Sequence, residues 1–100
     1  MDNYTVKVSP RARCDLEQIY AYISGHLLEP NVAKNMIDLL VNGIYSLEHM
    51  PERNPVRRIG SHANRGYRQL FVKNYVIIYL VRKTQKEVYV MTVRYASSQF

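Results

Sequence analysis

The chain has no tryptophan, one cysteine, four glycines and four prolines in 100 residues. A single cysteine, Cys14, permits no internal disulfide, so the fold has to rest on packing, and a reducing compartment, the cytoplasm, is the expected location. Cys14 reads as a helix-face residue rather than a nucleophile. No stretch approaches the ~20 apolar residues of a membrane span, so no membrane partner is expected. The start Met1-Asp2-Asn3-Tyr4 lacks the basic segment and apolar run of a secretion signal. There is no glycine-rich phosphate loop and no nucleophile elbow. No His, Cys or Asp pair has metal-ligand spacing, and neither a metal nor a cofactor is expected. Without tryptophan, nine tyrosines carry most of the aromatic mass. Acidic residues are scarce after residue 50, where two stand against ten Lys and Arg, whereas the first half has six against four.

What is present is therefore a strongly polarised positive charge. The net charge is +6, the pI is near 9.6, and Arg53, Arg57, Arg58, Arg65 and Arg68 crowd into one short stretch. Guanidinium forks bind phosphate and carboxylate bidentately, so the stretch points to a polyanion or an acidic protein segment as partner. One hundred residues bound the chain to a single domain, 1–100, with a small core.

Periodicity places the elements. Tyr4, Val6 and Val8 alternate as one face of a strand. Ser9-Pro10 supplies an N-cap and a first-turn proline, and Ala12, Leu16, Ile19, Tyr20, Ile23 and Leu27 recur at helical spacing until Gly25 and Pro30 punctuate the end. A second helix from Pro30 carries Ala33, Met36, Ile37, Leu40, Ile44 and Leu47, and Pro51 stops it near Met50. Gly43 is a weak point in that helix or a site of close helix packing. Residues 51 to 66 read as one long loop, which holds most of the arginines. Tyr67 to Lys73, Tyr75 to Arg82 and Glu87 to Tyr95 form a β-meander joined at Lys73-Asn74 and at Lys83 to Lys86. The order β-α-α-β-β-β predicts an α+β fold, a twisted antiparallel sheet with the helical hairpin packed on one face and the loop arginines gathered at the rim of the other.

These elements, with their residues, resemble the RelE/ParE superfamily of bacterial toxins from type II toxin–antitoxin modules. The resemblance rests on Ala12, Asp15-Leu16, Ile19 and Tyr22-Ile23 in the first helix and on Ala33, Ile44, Leu47 and Pro51 in the second. It continues through Gly66-Tyr67-Arg68-Gln69-Leu70, Tyr75, Ile77 and Tyr79, and the closing Val93-Arg94-Tyr95. It implies a growth-inhibiting toxin of a plasmid-stabilisation type module, held by an acidic antitoxin in a hetero-oligomer. It also implies one of two actions. RelE-type members cut ribosome-bound mRNA by attack of the 2′-hydroxyl on phosphate. ParE-type members poison DNA gyrase and need no catalytic set. Arg68 matches the arginine that contacts RNA phosphate in RelE-type members. Where those members place Arg or His near the C-terminus, this chain reads Ala96-Ser97-Ser98-Gln99-Phe100, and a serine hydroxyl without an activating base is a poor acid or base. The hairpin signature is the more ParE-like, so gyrase is the favoured target, mRNA on the ribosome the alternative, and a decayed toxin that only binds antitoxin the third.

Candidate target-binding residues follow: Arg57, Arg58, Arg65, Arg68, Arg94 and Tyr95. Arg68 binds phosphate or pairs with a carboxylate such as Glu87. Arg57 and Arg58, being adjacent, point to opposite sides of an extended segment. In a nuclease, Arg68 and His62 form the catalytic set, with His62 kept neutral by its positive neighbours. Tyr75 and Tyr79 read as core, and Tyr95 as more open.

Overall fold

The structure, a computed structural model, describes residues 3–58, 63 and 65–96. Strand β1 (Thr5–Val8) leads into helix α1 (Pro10–Ala21), which closes in a wide π turn at Tyr22–His26. Helix α2 (Pro30–Tyr45) follows, then two short 3₁₀ turns at Ser46–Glu48 and Pro51–Arg53. After the connector come β2 (Arg68–Val72), β3 (Tyr75–Arg82) and β4 (Glu87–Tyr95). Among the described residues no helix is long and apolar enough to cross a membrane.

The four strands lie in the order β1-β4-β3-β2. The meander β2-β3-β4 is antiparallel as expected, but β1 pairs parallel with β4, Val6 beside Val88 and Val8 beside Val90, so the sheet is mixed. The meander leaves only two open edges. The connector occupies the β2 edge, where Val56 bridges Arg68 and Gln69 N–H donates to Pro55 O at 3.2 Å, so β1 takes the β4 edge.

Local chemistry explains how α1 reaches the sheet. Ser9 Oγ accepts from Ala12 N–H at 2.9 Å, capping the helix, and donates its own proton to Met91 O at 2.7 Å. Met91 is the extra residue of a β-bulge, since Tyr79 pairs with Val90 while Ile78 pairs with Thr92. β1 stops at Val8, and beyond it the outer edge of β4 would be bare. Asp15 of α1 covers that edge: its carboxylate accepts from Thr92 Oγ1, from Val93 N–H at 3.1 Å and from Arg11 Nε at 3.2 Å. The buried stripe of α1 therefore includes a carboxylate, whereas Tyr20, expected on the stripe, is 43% exposed.

The core lies between the helical hairpin and one sheet face. Leu40, Ile44 and Leu47 pack with Ile77, Tyr79, Val88 and Val90. Gly43 permits close approach of α2 to the sheet, not to α1, since a Cβ there would lie 2.9 Å from Val72 Cγ2 and 3.5 Å from Ile77 Cδ1. The fully buried Tyr79 donates its phenol proton to Pro51 O at 2.6 Å and accepts from Asn54 Nδ2 at 3.0 Å, fastening the start of the connector to β3.

Candidate functional site

The described arginines divide into two groups rather than one hollow. Strand register decides the division. Arg68 lies opposite Tyr79 and so shares the helix-side face, where its guanidinium donates to Asn54 O at 2.6 Å and Glu52 O at 3.2 Å. Its carboxylate neighbour is Glu52, 3.9 Å away, and not Glu87. Glu87 stands beside Arg82 and Thr5, at the far end of the sheet, and pairs with Lys7 at 2.8 Å and Arg82 at 3.6 Å. Those two cations hold its carboxyl below the usual carboxylate range, Lys7 contributing most. Arg53 belongs to the same side as Arg68: its guanidinium donates to His49 O and to Met50 O at 3.2 Å, and Met50 O also accepts the Arg53 backbone N–H at 3.1 Å, so the side chain ties together the turn after α2.

The second group is on the helix-free face. Arg57, only 8% exposed, receives its place from the connector: its N–H donates to Tyr67 O at 2.7 Å and its guanidinium to Gln69 Oε1 at 3.0 Å. Gln69 is opposite Ile78 and Arg94 opposite Val76, so both alternate to this face. Burial, and then the nearby positive charge of Arg94, lower the pKa of Arg57 from its ordinary value. Arg58 and Arg65 are exposed. Gly66, at φ 83°, makes the left-handed step that turns the chain from Arg65 into β2. His62, and the tail serines Ser97 and Ser98, lie outside the described residues.

A groove that the sequence did not announce lies at the other end of the molecule. It has a volume of about 760 Å³ and runs between α1, the π turn and the start of α2 on one side and the ends of β3 and β4 on the other. Ile19, Ile23, Met36 and Val93 contribute apolar lining, with Tyr22, Leu27, Val32, Tyr75 and Tyr95 around them. Tyr95 meets Tyr75 edge to face, with ring centres 5.5 Å apart. Burial raises the pKa of the Tyr75 phenol, and its neighbours Tyr95 and Tyr22 raise it further. Arg94 lies at the margin, with its side chain alternating to the helix-free face, and Arg11 is ion-paired with Asp15, the acidic residue on the groove, which also accepts from Thr92 and Val93. Tyr95 and Arg94 thus belong to this groove as much as to any arginine patch. Leu27, which its helical spacing put on the stripe of the first helix, is instead half exposed, as are Tyr22 and Val32 beside the hairpin bend. Among the described residues no three His, Cys, Asp or Glu side chains come together to hold a metal ion.

A helical hairpin on one face of a four-stranded mixed sheet, closed at one edge by a parallel N-terminal strand, is the architecture of small toxins from type II toxin–antitoxin pairs. Among solved structures the chain is similar to a chain of the chromosomal ParDE system of P. aeruginosa, with TM-score 0.78 and 20% identity over 94% of this chain and 97% of that one. It is also similar to a chain of the RelBE2 toxin–antitoxin complex of Mycobacterium tuberculosis, with TM-score 0.65 and 21% identity over 98% and 97%. A free-state mutant of E. coli RelE gives TM-score 0.61 and 15% identity over 95% and 85%. No curated protein matches in sequence at a significant level. The family model described as the ParE toxin of the type II toxin–antitoxin system parDE matches residues 6–100. The chain belongs to that family, within the RelE/ParE superfamily.

Proposed function

We propose that this toxin arrests growth in the cytoplasm by binding DNA gyrase and trapping it on cut DNA, a binding activity without catalysis of its own. The observation that carries the reading is the ParE family match over residues 6–100. The state of Arg68 supports it. A guanidinium committed to Asn54 O, Glu52 O and the Glu52 carboxylate is a structural tie, and its release to stabilise a phosphorane would cost those contacts.

In this reading the acidic antitoxin segment binds at the groove. A disordered acidic segment that folds on binding needs apolar surface to offset its ordering entropy and cations to guide it in. The groove offers apolar surface in Ile19, Met36 and Val93, and the net charge of +6 supplies the attraction.

One observation favours a second reading, mRNA cleavage on the ribosome. Lys7, Arg57, Arg82 and Arg94 all project from the helix-free side of the sheet or the connector folded on it, with Tyr89 among them and Glu87 as their acidic counterweight. Induced expression in a bacterial host separates the readings. Gyrase trapping predicts blocked replication and a DNA-damage response, unchanged in Arg68→Lys. The nuclease predicts cuts in ribosome-bound mRNA, lost in Arg68→Ala. Normal growth with antitoxin binding retained marks a decayed toxin and overturns the proposal.

A further inference from the structure

We propose that the end of the sheet opposite the groove is a second contact surface, one that takes hold of the phosphate backbone of duplex DNA. This deepens the gyrase reading, since it gives the toxin a grip on the DNA that gyrase carries, and it is testable without gyrase.

Topology brings the cations together. The starts of β1, β2 and β4 and the end of β3 share one end of the sheet, because Thr5 and Arg82 both lie beside Glu87 and β2 runs antiparallel to β3. Arg82 closes β3, Lys83 and Lys86 stand in the turn that follows, and Lys7 comes across from β1. Arg58 and Arg65 join them from the connector at the start of β2, where Val56 bridges Arg68 and Arg57 N–H donates to Tyr67 O. All six are exposed. The carboxylates paired with them are each shared between two cations: Glu87 serves Lys7 and Arg82, and Glu52 serves Lys83 and Arg68. Exposed pairs of this kind are weak, so a phosphate can take the place of the carboxylate. Lys86 is held at φ 55°, a left-handed position that glycine fills without cost, so the turn keeps a cation at the expense of strain.

What this end lacks identifies its ligand. Among the described residues, neither the turn nor the strand ends beside it carry a large exposed apolar side chain. A protein partner is anchored by aromatic and apolar contacts, whereas a phosphate backbone is bound through charge. Single strands need open aromatic faces on which bases stack. Here the Tyr89 ring carries the Arg82 guanidinium at 5.0 Å and the Tyr4 ring carries the Lys86 ammonium at 5.6 Å, so each ring already has a cation on its face. Cations on a rigid sheet end, without a stacking platform, match the dense charge of a duplex.

The test measures binding of the full chain to a short fluorescein-labelled duplex of mixed sequence, without gyrase, from about 50 to 200 mM salt. About four to six phosphate contacts predict a slope of log affinity against log salt of about −4 to −5, a loss of roughly 200–1,000-fold over that range. Lys83→Gln with Lys86→Gln should weaken binding and make the slope shallower by about 2, one for each contact removed. Lys34→Gln with Lys73→Gln removes the same charge from α2 and from the β2–β3 turn, away from this end, and should leave the slope unchanged. All four lysines are exposed, and surface substitutions of this kind leave folding intact. Equal losses in the two variants would make the binding a property of net charge and overturn the inference. So would a wild-type chain that fails to bind the duplex, or that binds single-stranded RNA of the same length more tightly. The gyrase reading stands or falls separately, on whether cut plasmid accumulates with purified gyrase.

Discussion

Replacing Asp15 by alanine should destabilise the fold by about 3–4 kcal/mol, and the estimate can be built from its three partners. Val93 N–H loses its acceptor at a residue 3% exposed, and Thr92, 1% exposed, loses the acceptor of its hydroxyl. A buried donor left unsatisfied costs about 1–3 kcal/mol, and bonds to a charged acceptor lie at the upper end. The Arg11 pair adds little, because the guanidinium side chain is 61% exposed and such i,i+4 pairs contribute about 0.3–0.5 kcal/mol. Taking the two buried bonds near 1.5–2 kcal/mol each gives the total. With a urea m-value of about 1.5–2 kcal/mol/M, the unfolding midpoint falls by roughly 2 M. Asp15→Asn keeps one acceptor and should lose about half as much. Thr92→Val should cost about 1–2 kcal/mol alone and almost nothing in the Asp15→Ala background, because the cycle removes a shared bond. A loss below about 1 kcal/mol for Asp15→Ala, or equal effects of Asp15→Ala and Arg11→Ala, would refute the assignment of this carboxylate to the bare edge of β4.

Two further outcomes follow from the core. Gly43→Ala should fail to stabilise: the gain in helix propensity of about 1 kcal/mol is offset by overpacking of about 1–3 kcal/mol against the stiff Val72 side chain, as chemical denaturation of both chains would register. Tyr79→Phe should cost about 1–2 kcal/mol and also change the alkaline limb of the stability curve. Burial raises the Tyr79 phenol above its ordinary 10.0 against smaller lowering effects of Asn54, Arg68 and Arg53, so stability is fully present below pH 10 and drains away as pH rises toward the folded value. The phenylalanine variant should lack that component, and an identical alkaline limb in both chains would remove Tyr79 as its source.

Much of the fold was legible because local signals agreed with one another. The Ser9 cap, the α2 stripe from Ala33 to Leu47 and the two hairpin turns all fall where spacing and turn chemistry place them. The direction of β1 was not legible, because alternation in Tyr4, Val6 and Val8 fixes a buried face and says nothing about which edge is free. That edge is decided by the connector lying along β2. Asp15 was legible in part: three residues after Ala12 and four before Ile19, it falls on the buried stripe, yet only the bulge at Met91 shows what it satisfies. The candidate site was the least legible. Proximity in sequence grouped Arg57 with Arg68, while β alternation sent Arg68 to Glu52 on one face and placed Arg57 near Arg94 on the other. The groove arises from residues far apart in the chain, Tyr22 and Val32 with Tyr75 and Tyr95, and no spacing rule joins them.

The claim that this toxin is a gyrase poison is tested most directly with purified gyrase, supercoiled plasmid and ATP. The account predicts accumulation of protein-linked, double-strand-cut plasmid as toxin is added, with the Arg68→Lys variant equally effective. Unimpaired supercoiling with no cut plasmid, alongside cleavage of mRNA on ribosomes by the same preparation, would contradict it.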